Sequence, residues 1–257
     1  MFLLKLLINE NRSQIVFTIL ACNRMTQLTR LLLFSFLVLS SVLVFSQPVT
    51  GNDDKVYGND PLLFNGRTYV FITPPGTGGS QFLFDKFDAQ GTIQLRNTSF
   101  TNISLNYDVY NQLVILKYID AISSTGFIEI SAAWLETFGL YGSHYEYVSG
   151  TDTTKRIYQV LGDGDMKIMY YHHKELLIDT RTAMRNHYFS NAVKEMYVKK
   201  DKSLIKYKNN KSFVKAFGVN SQAGIKKYMR KNNIRVKKAN DQEMTELINY
   251  CNTLTGS

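Results

Sequence analysis

Residues 73–80 read TPPGTGGS behind an apolar run, Tyr69 to Ile72. A strand followed by such a loop is how many NTPases cradle phosphates. The pattern G-x-x-x-x-G-K-[ST] would put its first glycine at Thr73 and its lysine at Gly79. Without that lysine no cation meets the β- and γ-phosphates, and Ser80 alone cannot replace it. A helix should follow the loop. Instead Phe82 and Phe84 alternate towards a turn at Asp88-Ala89-Gln90-Gly91, a hairpin pattern. The stretch reads as a Pro/Gly loop between strands, and no nucleotide chemistry is expected.

The other reactive residue types are sparse. The histidines are His144, His172, His173 and His187. Adjacent His172 and His173 on a strand point to opposite faces, so they cannot share one metal without a bulge. No zinc-ligand spacing is present. Gly162-Asp163-Gly164-Asp165 lacks the alternating carboxylates and distal glutamate of a calcium loop and reads as a tight turn. The Gly-Asn-Asp triplets at 51–53 and 58–60 read the same way. There is no G-x-S-x-G nucleophile elbow. Glu129, Glu136 and Glu146 are available to a hydrolase, but carboxylate pairs are not recognisable by spacing. No catalytic residue, metal ligand or cofactor is assigned. A non-catalytic binding or structural protein is the leading expectation, and a hydrolase acting on extracellular polymer is the alternative.

One feature remains that could act on a partner. IKKYMRKNNIRVKK, residues 225–238, holds seven Lys/Arg: Lys226, Lys227, Arg230, Lys231, Arg235, Lys237 and Lys238. The ordinary reading is a solvated helix face. The functional reading is contact with anionic envelope material, phosphorylated lipid heads or acidic glycans, through attraction that salt weakens. Charge divides along the chain. Residues 48–190 hold 11 Lys/Arg against 15 Asp/Glu, whereas 191–257 hold 15 against 5.

The elements that would position these residues begin after a leader. Arg30 precedes an apolar run, Leu31 to Phe45, and then Ser46-Gln47-Pro48, the layout of a cleavable export signal. The run is shorter than a spanning helix needs, so no stable membrane span is expected in the mature chain. Residues 1–24 are most simply an over-long start before Met25, with Cys22 as a lipidation site the sharper alternative and an uncleaved membrane anchor at 31–45 another. The expected location is periplasm, cell surface or outside, which places the basic stretch away from genomic DNA. After the leader only Cys251 remains, so no internal disulfide is expected.

From residue 48 to 210, short aromatic and β-branched runs alternate with turn residues. Asn65-Gly66 within 62–71 suits a type I′ hairpin. Strand pairs are predicted at 103–108 with 113–119, across 155–173, and across 194–208 about Asp201-Lys202. Further runs lie at 127–130, 135–140 and 144–148. The expected fold is mainly β with C-terminal helices (α+β): an antiparallel β-meander in a sandwich or barrel-like arrangement, with two C-terminal amphipathic helices in 211–257 packed on it. One helix spans 220–232. The other follows Asn240, whose spacing to Glu243 fits a capping box. Its stripe is Met244, Leu247, Ile248, Cys251 and Leu254, which makes Cys251 a buried thiol. KSFVKAF, 211–217, is expected to form a joining helical turn.

LNYDVYNQLVIL after an aromatic meander, then YVKKDKSLIKYKNNKSFVKAF, then IKKYMRKNNIRVKKANDQEMTELINY, give a layout that resembles uncharacterised exported β-meander proteins of Gram-negative bacteria. The resemblance covers most of 57–254. It implies export and a shared architecture, and carries no activity or site residues with it.

Overall fold

The computed structural model describes residues 60–87, 90–119, 123–149, 154–180 and 186–255. The leader with Cys22, the first Gly-Asn-Asp triplet, and Asp88-Ala89 of the turn expected at 88–91 lie outside the described residues. The strands are β1 (Arg67–Thr68), β2 (Gln90–Leu95), β3 (Thr98–Asp108), β4 (Leu113–Ile119), β5 (Thr125–Glu129), β6 (Leu135–Leu140) and β7 (Ser143–Ser149). They continue as β8 (Lys155–Leu161), β9 (Met166–His173), β10 (Leu176–Asp179), β11 (Asn186–Phe189), β12 (Val193–Lys200) and β13 (Ser203–Tyr207). Three helices follow, α1 (Asn210–Lys215), α2 (Val219–Lys231) and α3 (Asp241–Thr255). Eleven strands form one antiparallel sheet in the order β1-β5-β4-β3-β2-β6-β7-β8-β9-β12-β13, with β10 and β11 paired apart. The sheet keeps two free edges and is not closed into a barrel. The expected meander is therefore present, and the joining turn at 211–217 is a third helix.

Turn chemistry sets the meander. Arg96 and Asn97 both take positive φ (46° and 64°) between β2 and β3, the geometry a two-residue type I′ turn needs. Between β3 and β4, Asp108 accepts from the backbone N–H of Tyr110 (3.1 Å) and Asn111 (2.8 Å), an Asx turn. The β8–β9 turn holds Gly162 at φ +89°. A Cβ on Gly162 would come within 2.5 Å of Ile248 on α3, and one on Gly164 would collide with Asn252. The glycines of Gly162-Asp163-Gly164-Asp165 thus let α3 lie against the turn.

The hairpin expected at 62–71 is absent, and the residues that suggested it serve another purpose. Neither Asn65 nor Gly66 has positive φ. The Asn65 amide instead donates to the Leu62 carbonyl and accepts from the Ser131 N–H at 3.2 Å. A Cβ on Gly66 would strike the Glu129 carbonyl oxygen, so this glycine permits close approach of β1 to β5. Residues 82–87 are likewise irregular rather than a strand, tied to β3 by a bridge from Phe82 to Asp108, by Leu83 N–H donating to the Tyr107 carbonyl (2.8 Å) and by the Asn106 amide donating to the Phe84 and Lys86 carbonyls. The 73–80 loop is laced to β11: Gly78 N–H donates to the His187 carbonyl (2.9 Å) and Phe189 N–H to the Gly78 carbonyl (3.0 Å). No helix follows it, so it is built unlike a phosphate cradle.

One long face of the sheet carries two cores. Asn102, at φ 56°, is an unpaired bulge in β3, because Gly91 pairs Ile103 and Thr92 pairs Thr101. Bulges bend a strand and increase its twist. Beyond the bulge β3 pairs with β4, and Tyr107 packs on Phe138 and Tyr145, which stack at 4.6 Å across β6 and β7. The β3–β5 half thus folds over β6–β7 to close the first core. The second core lies between β8, β9, β12 and β13 and the helices, with Ile168, Tyr170, Val198 and Tyr207 meeting Phe213, Ile225, Met229, Leu247 and Ile248.

A polar seam separates the cores. Tyr145, Gln159, Tyr170, Met196 and Tyr207 are successive cross-strand partners on this face. Gln159, 5% exposed, donates to Asp241 at the start of α3 (2.5 Å) and to Ser143 (3.1 Å), and its oxygen lies 2.9 Å from His172 Nε2. Gln112 donates to the His172 carbonyl (2.9 Å) and accepts from the Tyr107 hydroxyl (2.7 Å). The Gln159 and Gln112 amides are thus paired, which avoids a desolvation cost of about 1–3 kcal/mol per orphan, whereas among the described residues the buried hydroxyls of Tyr170 and Tyr207 have no hydrogen-bond partner.

Candidate anion-binding cleft

The helical layer carries the concentration of positive charge. α1 starts with Asn209 and Ser212 in a reciprocal capping box. Phe213 and Val214 face the core, which turns Lys211 and Lys215, four residues apart, outward on one side. α2 ends in a Schellman motif: Ile234 N–H reaches the Met229 carbonyl (2.8 Å) and Asn233 N–H the Arg230 carbonyl (3.3 Å), with Asn233 at φ 54°. Met229 and Ile234 are both buried, as the motif's apolar contact requires. The motif turns the chain back so that Arg235 comes up beside α1. Asn210 locks this return by accepting from Val236 N–H (3.0 Å) and donating to the Ile234 carbonyl (3.3 Å).

The result is a cleft of about 460 Å³ between α1, α2 and the 233–235 turn, lined by Lys211, Lys215, Lys226, Arg230 and Arg235 together with Asn210, Val214, Gln222, Met229, Asn233 and Ile234. Among the described residues no carboxylate or histidine is in the lining. Among the described residues none of the five cations has a carboxylate within ion-pair distance. The acids of α3 are engaged elsewhere: Asp241 with Gln159, Glu243 with the Asn240 N–H (2.9 Å), Glu246 with Gln242 (3.1 Å). Like charges at four-residue spacing cost a few tenths of a kcal/mol per pair on a helix. Two such pairs, Lys211/Lys215 and Lys226/Arg230, face one cleft. The fold bears that repulsion without an internal counter-charge, and an anion would relieve it.

Of the seven cations expected from sequence, Lys226, Arg230 and Arg235 line this cleft, whereas Lys227 and Lys231 are exposed on α2 outside it. Lys237 and Lys238 lie just beyond, next to Arg235. Sequence reasoning missed Lys211 and Lys215. Their four-residue spacing in KSFVK was the available signal.

The remaining chemical candidates have structural partners. Glu129 pairs with Arg67 at 2.8 Å, Glu136 accepts from Asn97 N–H at 3.0 Å, and Glu146 meets Lys167 at 3.1 Å and His144 at 3.7 Å. His173 stacks on Tyr171 at 5.3 Å while His172 faces Gln159, the opposite orientations that strand alternation dictates. Loss of water, and then the nearby Lys194 ammonium, push His172 down to about 4. Cys251 is fully buried on α3, and burial pushes its thiol up to about 12, which removes the thiolate a nucleophile needs. Among the described residues no three His, Cys, Asp or Glu gather as a metal-binding group, and no helix is long and apolar enough to cross a membrane. No known protein family, curated protein or solved structure matches the chain.

Proposed function

We propose that the protein is an exported, non-catalytic binding protein whose helical layer holds anionic material of the cell envelope. The observation that carries this reading is the lining of the cleft: five cations and, among the described residues, neither a carboxylate nor a histidine to act as acid, base or nucleophile. A hydrolase of polymers needs such groups converging in its cleft. Export is supported by the basic-then-apolar segment at 30–45. The test is elution from immobilised dextran sulfate and co-sedimentation with phosphatidylglycerol vesicles, using the full chain and a Lys226→Glu/Arg230→Glu variant. The variant should elute at clearly lower salt than the parent. Equal retention of the two proteins would refute the assignment of the cleft. The N-terminus of the protein made in its own host, read by mass spectrometry, should fall near Ser46 or Gln47.

A further inference from the structure

Resting on that reading and deepening it, we propose that the ligand is a linear acidic polysaccharide laid along two joined clefts. A second cleft of about 460 Å³ shares Asn210, Lys211 and Arg235 with the first and adds Lys237 and Lys238. Seven cations therefore border two adjoining clefts, and among the described residues no acid lines either. Lys237 also borders a third hollow, of about 330 Å³. There the character changes: Glu195 enters the lining and pairs with Lys206 at 2.8 Å, while the Lys194 ammonium sits 4.1 Å from the Tyr170 ring centroid. The uninterrupted positive track ends at this hollow.

A compact anion fills one cleft and leaves the cations of the other repelling each other. A chain of regularly spaced anions neutralises both and releases more counterions, so its binding strengthens with length and becomes steeper in salt. The chemistry of the lining narrows the polymer. Among the described residues no aromatic ring borders either of the first two clefts, so bases of a single-stranded nucleic acid find no stacking platform there. The apolar floor of Val214, Met229 and Ile234 and the amides of Gln222 and Asn233 suit the CH faces and hydroxyls of sugar rings.

The experiment is calorimetric titration of the full chain with a heparin disaccharide, long-chain heparin, and single-stranded poly(dT) of matched charge, repeated with Lys237→Glu. Long-chain heparin should bind about tenfold or more tighter than the disaccharide, with the larger salt slope. Lys237→Glu should lower long-chain affinity about fivefold and leave the disaccharide within about twofold, because the short ligand occupies the first cleft. Equal affinity for short and long chains, or an unaffected Lys237→Glu variant, would overturn the track while leaving the anion site standing. Tighter binding of poly(dT) would overturn the polysaccharide. No binding of any probe would overturn the anion-binding reading itself.

Discussion

Acid should loosen the seam between the two cores through one residue, His172. Its imidazole is pushed from 6.5 to about 4, chiefly by burial and next by Lys194, with Asp241 opposing and His173 adding to the shift. A histidine whose folded value is depressed is protonated first in the unfolded chain. Stability is therefore complete above about pH 6.5, falls as the pH drops towards 4, and then levels off. A gap of about 2.5 units at 1.36 kcal/mol each sets a ceiling of about 3 kcal/mol, and between about pH 7.5 and 4.5 most of it, about 2–2.5 kcal/mol, is lost. That is a large share of a total that is usually about 5–15 kcal/mol. The comparison is urea denaturation at both pH values for the parent and His172→Gln, whose amide can keep the bond to Gln159 but cannot titrate. Losses from carboxylates are common to both proteins and cancel in the difference. The variant should be less acid-sensitive by about 2 kcal/mol. An identical pH slope in the two proteins would refute the account of the seam.

Other substitutions test the packing. Leu247 is fully buried on α3, so Leu247→Ala should cost about 2–5 kcal/mol and lower the thermal midpoint of the whole β and helical unit. An unchanged midpoint would mean that α3 does not hold the second core. Gly66→Ala should cost about 1–3 kcal/mol by driving a methyl into the Glu129 carbonyl, seen as faster hydrogen exchange at Tyr69 and Ile130 before any global change. Lys237→Glu, at an exposed position, should leave the unfolding free energy within about 0.5 kcal/mol of the parent while changing polyanion binding.

Much of the fold is local and therefore legible. The β3–β4, β8–β9 and β12–β13 pairs follow from alternation bounded by turn residues, and the Asn240–Glu243 box forms as spaced, with Glu243 N–H 2.8 Å from the Asn240 side chain. What escaped depends on distant partners. Gly66 has the turn's composition, but its reason is Glu129, 63 positions away. The bulge at Asn102, which folds the sheet over itself, has no distinctive local pattern. Lys211 and Lys215 join the basic stretch only because the Schellman turn at Asn233 and the Asn210 clamp bring 235 back to α1. The Gln159–His172–Asp241 contacts join three elements and leave no trace in any window of sequence.

The clasp between α3 and the β8–β9 turn also bears on how the molecule is made. Asn252 bonds both backbone groups of Met166, at 3.0 Å and 2.9 Å, across 86 residues. On the same helix Met244, Leu247, Ile248 and Cys251 are fully buried in the second core. A nascent chain that has not yet delivered residues 241–255 already carries β8, β9, β12 and β13, yet Ile168, Tyr170 and Val198 lack the helix that covers them. Contacts of such long range close late and slowly, and uncovered sheet faces are what holdase chaperones and proteases seize. Any reading-frame break before codon 241 should therefore yield a polypeptide that is degraded or aggregates, even though every strand of the sheet has been translated.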